Sequence, residues 1–258
     1  MDLGRHLAGR VALVTGASSG LGAHFARLLA GCGLAGLHLA ARRADRLDAV
    51  AEDCRARGAG RVETHALDVS DAASVDAAFA RLAAGAGGPP DLLVNNAGVA
   101  GTGAALDTPP EEFDRVLSTN LRGAWLCAVA AARAMRAAGK GGDVVNIASI
   151  LGLRVAGGVA PYAVSKAGLV QMTRALALEW ARHGIRVNAL APGYIRTDLN
   201  AGFLASEAGV ALAKRVPMRR FGRPEELDAP FLLLASGASP YLTGCVLTVD
   251  GGHHVNSL

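Results

Sequence analysis

The segment PYAVSKAG, Pro161 to Gly168, sets Tyr162 four residues before Lys166. Residues at that spacing share one face of a helix. A free phenol has a pKa near 10, too high for efficient proton exchange at neutral pH. An ammonium about 4 Å away, at an effective dielectric near 20, favours the phenolate by about 4 kcal/mol. That corresponds to a fall of up to about three in pKa. The pair is therefore suited to acid–base work, provided both side chains face a common site. A Tyr-x-x-x-Lys pair on its own is more often a surface contact, so its meaning depends on what else the chain brings there.

A second chemical signal lies near the N-terminus. The run VALVTG leads straight into TGASSGLG, Thr15 to Gly22. Gly16, Gly20 and Gly22 have the spacing of a strand–turn–helix crossing. The first permits a tight turn, the second lets backbone approach a pyrophosphate, and the third lets the helix pack closely on the strand. With Ser18, Ser19 and Leu21 they would present helix N–H groups and the positive dipole end to phosphates. No Gly-Lys-Ser/Thr follows, which excludes a Walker loop. The next strand ends LAARR. Ala41 stands where an acid would bind ribose hydroxyls, and Arg42 and Arg43 suit a 2′-phosphate through forked, charge-assisted hydrogen bonds. NADP(H) is favoured over NAD(H), which stays open because Ser18 and Ser19, not a basic residue, occupy the turn.

The elements that must position these groups alternate along the chain. Strand-like runs fall at Val11–Gly16, Leu37–Ala41, Arg61–Asp68, Asp91–Asn96, Asp143–Ser149, Ile185–Pro192 and Cys245–Gly252. Helix-like segments fall at Gly20–Ala30, Asp45–Arg57, after a cap at Ser70, Glu111–Ala138, Pro161–Arg182 and Glu225–Ala235. Continuous apolar strands between helices predict a parallel sheet covered on both faces. The expected fold is α/β: one doubly wound, Rossmann-type domain over residues 1–258, with seven strands and an irregular substrate-loop insertion at about 194–217.

These motifs together resemble the short-chain dehydrogenase/reductase family, in its short single-domain subgroup. The match runs over nearly the whole chain: TGASSGLG, then NNAG (Asn95 to Gly98), Asn120 in STNLRG, Ser149 in NIAS, the Tyr162/Lys166 pair, APG (Ala191 to Gly193), GRPEEL and VDGG. The resemblance extends to 3-oxoacyl-carrier-protein reductase-like members. It implies that Tyr162 is the general acid in carbonyl reduction and the base in alcohol oxidation. Lys166 would lower the tyrosine pKa and bind the nicotinamide ribose, Ser149 would hold the substrate oxygen, and Asn120 would support a water leading from Lys166 to solvent. Asp68 and Val69 would flank the adenine. Asn95, Ala97 and Gly98 would line the ribose, and Pro192, Gly193, Ile195 and Thr197 the nicotinamide end. Homotetramer or homodimer assembly is also implied, with the apolar face around Trp125 as a contact; ordinary core packing of that face stays open. An NAD-dependent alcohol or polyol dehydrogenase of the same family is the alternative, and a non-catalytic dinucleotide-binding regulator a third reading.

Composition bounds the rest. The chain has 258 residues, 51% hydrophobic and 19% charged, with a net charge of +4. It has no basic stripe or nucleic-acid motif, so a nucleic-acid partner is not expected. The run Ala124 to Ala132 is too short to span a membrane, and MDLGRHLAGR lacks the apolar core of a signal peptide. Cys32, Cys54, Cys127 and Cys245 form no CxxC and read as reduced thiols of a cytoplasmic protein. His253 and His254 lack partners at ligand spacing, so no metal is expected. The partner expected is a small carbonyl or alcohol. Ile150, Leu151, Leu153, Val155, Val159, Tyr194, Leu199, Phe203 and Leu204 would line its pocket. Arg154 and the Arg215, Arg219, Arg220 group could receive an anionic substituent on it.

Overall fold

The computed structural model describes residues 2–85, 87–197 and 200–256. Leu199, expected in the pocket wall, lies outside them. Seven strands form one parallel sheet: β1 (Val11–Thr15), β2 (Gly36–Ala41), β3 (Val62–Ala66), β4 (Leu92–Asn95), β5 (Gly142–Ile147), β6 (Ile185–Pro192) and β7 (Val246–Val249). Their order is β3-β2-β1-β4-β5-β6-β7. The chain winds outward in one direction from β1 and in the other from β4. Between β1 and β4 lies the switch point, where a crevice opens at the carboxyl ends of the strands.

Helices cover both faces: α1 (Gly20–Ala30), α2 (Leu47–Ala56), α3 (Ala72–Ala84), α4 (Pro110–Leu117), α5 (Ala124–Ala137), α6 (Ala160–Trp180), α7 (Ala201–Ala205), α8 (Glu207–Ala213) and α9 (Asp228–Ala235). Because both faces are covered, every residue of β1, β2, β4 and β6 is buried. One core lies between the sheet and α1, α2 and α9, where Phe25 stacks on Phe231 at 4.2 Å. The other joins the opposite face to α3, α5 and α6. At the amino ends of the strands Arg10 bonds Asp91 and Asp143 at 2.7 Å each, and Arg186 bonds Asp143 at 2.6 Å. This network ties β1, β4, β5 and β6 together at the end opposite the crevice.

Local expectations fail in three places. Asp71, not Ser70, caps α3, accepting from the Ala73 N–H at 3.0 Å. The Ser70 hydroxyl instead donates to Asp68 at 2.6 Å. The region 194–217 is not wholly irregular, since it contains α7 and α8. The single helix expected at Glu111–Ala138 is divided by a π-helical turn, Ser118–Gly123. There the Thr119 hydroxyl donates to the Arg115 carbonyl four residues back at 3.0 Å, a bond that loosens a helix. Gly123 lies against Val69, so closely that a Cβ would come within 2.7 Å of its side chain. Such wide turns often mark functional positions, and this one holds Asn120.

Candidate active site

The glycine turn has the geometry its sequence requires. Gly16 and Gly20 have φ of +65° and +54°, which residues with a Cβ rarely adopt. A Cβ on Gly22 would lie 2.2 Å from the Gly16 carbonyl oxygen, so α1 could not start where it does. The turn is further held by residues the motif reading overlooked. The Asn96 amide donates to the Thr15 and Gly16 carbonyls at 3.0 and 3.2 Å. The Thr15 hydroxyl accepts from the Asn96 and Ala97 N–H groups at 3.1 Å each. Asn96 lies inside NNAG; only the close approach of β1 and β4 gives it this task.

These residues fit a dinucleotide. Ser19 precedes α1 in extended backbone and its side chain does not cap the helix, so first-turn N–H groups remain for a phosphate. Ser18 and Leu21 flank that opening, both half-buried. Arg42 and Arg43 are exposed just beyond β2, and neither forms an ion pair among the described residues. Asp68 lies near Arg42, and its carboxyl is held low first by the Ser70 hydrogen bond. Val69 is buried beneath it. Ala97 and Gly98 continue from β4 across the crevice, where a Cβ on Gly98 would lie 3.2 Å from Asn120 Oδ1. Asn95 differs from expectation. Its amide turns into the core, donating to the Ala124 carbonyl at 2.9 Å and Asn146 at 3.0 Å. Only its main chain remains for a cofactor.

The four candidate catalytic residues converge at the carboxyl end of β5. Ser149 caps a short turn, Ile150–Gly152, accepting from the Leu151 N–H at 3.1 Å. That turn closes onto α6 because Gly152 has no Cβ; one would lie 2.6 Å from the Lys166 carbonyl oxygen. Lys166 is buried and donates to the Ile147 carbonyl at 2.8 Å, with Nζ 5.6 Å from the Tyr162 ring centre. Asn120 donates to the Val99 carbonyl at 2.9 Å and to Ser165 at 3.0 Å, and accepts from the Val99 N–H at 2.8 Å. The Ser165 hydroxyl donates to the Tyr162 carbonyl at 2.7 Å. Asn120 thus joins the loop after β4 to α6. Both its amide hydrogens are engaged, so a water beside Lys166 has only a lone pair of Oδ1 or the main-chain carbonyl to use.

The electrostatics correct the simple lysine–tyrosine expectation. Burial pushes the Tyr162 phenol up; a hydrogen bond with Ser149 opposes this, and Tyr194 adds to the rise. Burial pushes the Lys166 ammonium down to about 8. Desolvation is the leading cause for both groups, and neither shifts the other. At neutral pH this favours a protonated phenol, the form that donates a proton.

The nicotinamide side is closed by the loop after β6. Pro192 ends the strand, and Gly193 approaches Asp250 so closely that a Cβ would come within 2.7 Å. Ile195 is buried, and Asn200 holds its carbonyl at 2.8 Å and the Thr197 N–H at 2.9 Å. Tyr194 packs against His253, ring centres 5.8 Å apart. The Arg154 guanidinium donates to the His253 carbonyl. Of the two C-terminal histidines only His254 has a side-chain partner, its Nδ1 lying 2.7 Å from Asp250, while the buried Nδ1 of His253 has none. No local pattern reveals this wall, because its parts are about 100 residues apart in the chain, as Arg154 and His253 are.

Comparison with known proteins agrees with this geometry. Residues 16–254 match the family model described as enoyl-(acyl carrier protein) reductase. The chain is 42% identical to cis-4-hydroxycyclohexanecarboxylate dehydrogenase of Sinomonas cyclohexanicum, over 97% of this chain and 99% of that one. It is 41% identical to galactitol 2-dehydrogenase (L-tagatose-forming) of Cereibacter sphaeroides, over 96% of each. Among solved structures, gluconate 5-dehydrogenase from Burkholderia cenocepacia J2315, in complex with NADP and tartrate, superposes with a TM-score of 0.92. It is 35% identical, with both chains covered in full. These relatives are hydroxy-acid and polyol dehydrogenases, so the likeness to carrier-protein reductases is the looser one. No helix among the described residues is long and apolar enough to cross a membrane. With its glycine-turn crevice, its Ser149, Tyr162 and Lys166 on facing elements and relatives matched over nearly their full length, this chain belongs to the short-chain dehydrogenase/reductase family and is a nicotinamide-dinucleotide oxidoreductase acting on CH–OH and C=O groups.

Proposed function

We propose that the protein is an NADP(H)-dependent reductase and dehydrogenase of small ketones and secondary alcohols, with Tyr162 as its general acid and base. The observation that carries this reading is the meeting of Tyr162, Lys166 and Ser149 across the crevice from the glycine turn. The nicotinamide supplies or accepts the hydride. Ser149 orients the substrate oxygen and hydrogen-bonds the phenol. Tyr162 gives its proton to that oxygen in reduction and takes it in oxidation. Lys166, anchored at Ile147, has two further N–H donors for the ribose and a water. Asn120 positions α6 through Ser165.

Arg42 and Arg43 support the preference for a 2′-phosphate, because they are exposed at the end of β2 with no acid in the ribose position. The substrate read from the far wall is a hydroxy acid or keto acid. Arg154 has no carboxylate partner among the described residues, and its charge reaches both Tyr194 and His253. The chain acts in this reading as one cytoplasmic catalytic domain, with residues 194–217 forming the substrate loop. The half-exposed Phe113 and Trp125 support a homo-oligomer; Ala124, Ala128, Ala131 and Ala132 of α5 pack inward.

Cofactor titration followed by nicotinamide fluorescence tests the reading. NADPH binds more tightly than NADH, and Arg42→Ala weakens NADPH by roughly 10-fold or more while leaving NADH unchanged, the loss of one hydrogen bond to a charged group. Equal or tighter binding of NADH overturns the NADP assignment and leaves an NAD-dependent polyol or alcohol dehydrogenase.

A further inference from the structure

A cluster outside the active site has chemistry that the oxidoreductase reading does not use. His38 of β2 stands opposite Glu63 of β3, and His65 stands opposite Ala40. Side chains alternate along strands, so His38, Glu63 and His65 all project from the face covered by α3. His38 Nδ1 lies 3.0 Å from His65 Nε2, and Glu63 Oε2 lies 3.7 and 4.0 Å from those two nitrogens. A circle through three donors at these separations has a radius of about 2.1 Å, which matches the bond length of zinc to imidazole nitrogen and carboxylate oxygen. One ion at its centre would lie within bonding distance of all three once the imidazoles turn from each other toward it. A movement of a few tenths of an ångström out of their plane would leave a fourth, tetrahedral position for water.

We propose that His38, Glu63 and His65 bind a single divalent transition-metal ion, with Zn²⁺ the best fit. Two imidazoles and a carboxylate form a donor set that suits zinc, nickel or copper over magnesium or calcium. The groups are in the protonation states a metal needs. Burial drives both imidazoles toward neutrality, His38 down to about 4. The Arg61 hydrogen bond to Oε1 at 2.6 Å keeps Glu63 ionised and leaves Oε2 facing the histidines. An outer partner of this kind orients a ligating carboxylate. Arg61 and, on α3, Arg81 are the other charged groups facing the cluster. They oppose a cation through space, so the site's affinity rests on its two nitrogen donors. Without a metal the two imidazoles share one hydrogen bond, and the buried Nε2 of His38 has no partner in either tautomer. A metal bond at Nδ1 would fix the remaining proton on Nε2, which keeps no partner. Glu63 is a third exposed, which gives the ion a way in.

The test uses the tag-free full-length chain, stripped with EDTA and freed of chelator. Titration with Zn²⁺ against a competing indicator should show one ion bound per chain. Glu63→Gln and His65→Gln should each weaken it at least about 10-fold, since even outer-shell losses cost that much. Co²⁺ should give the intense visible absorption of a four-coordinate site in the unaltered chain and shift the ring protons of His38 and His65, a readout that needs no variant to fold. Three results would overturn the proposal. One is no uptake by the unaltered chain. The second is uptake that survives both substitutions. The third is uptake lost instead with His24→Gln or His254→Gln, which break the imidazole–carboxylate contacts to Asp228 and Asp250.

Discussion

Replacing Lys166 by methionine should make the protein more stable at neutral pH while it destroys activity. The ammonium is buried, and its pKa falls from 10.5 to about 8 on folding. Between those values the unfolded chain holds a proton that the folded chain does not, so stability rises with pH there. Below about pH 8 both states are charged and the full penalty of burial, about 3 kcal/mol, is present. Methionine has similar length and no charge. Against the gain stands the lost bond to the Ile147 carbonyl at 2.8 Å, worth about 1–2 kcal/mol once that oxygen is left alone. Lys166→Met should therefore be more stable by about 1–2 kcal/mol at pH 7. Its advantage should shrink by about 2 kcal/mol between pH 7 and 9.5, as the wild-type lysine sheds its proton. Urea unfolding of both proteins across that range measures the difference, and any effect of Tyr162 is common to both. A wild type more stable at pH 7, or a difference that does not change with pH, would refute the desolvation argument. A variant that kept its activity would refute the role of Lys166 in the site.

Other changes separate binding from chemistry. Gly22→Ala places a Cβ 2.2 Å from the Gly16 carbonyl; fluorescence titration should show NADPH affinity falling by about 30- to 150-fold, as for an overpacked contact of about 2–3 kcal/mol. Tyr162→Phe should lower kcat by about 10²–10⁴-fold, the range of general acid–base catalysis, with cofactor affinity unchanged by the same titration. Arg154→Ala should raise KM for a cyclic hydroxy acid about 10-fold or more and leave a neutral polyol unaffected in steady-state assays, if the guanidinium receives a carboxylate.

Much of this architecture is legible along the chain because its causes are local. Helix α1 begins and ends at Gly20 and Ala30 and β6 runs from Ile185 to Pro192, both as read from apolar period and flanking breakers. The glycine turn is equally legible, because positive φ at Gly16 and Gly20 is a property of the residue type. The spacing of Tyr162 and Lys166 already implies one helix face. Their electrostatics are different in kind. How far a phenol and an ammonium lose water depends on the turn at Ile150–Gly152 and on α6 closing over them. Desolvation reverses the shift that the pair alone suggests. Asn95 and Asn96 are neighbours of the same type, yet one serves the core and the other the cofactor turn, because strand alternation sends them to different surroundings. The π turn at Asn120 likewise packs against Val69 and Val99, contacts that lie far away in sequence. Residue types and their spacing determined the fold, the family and the chemical groups available. Only the tertiary structure decided which groups meet and how dry their meeting place is, because strand register and helix docking bring together residues that no local pattern connects.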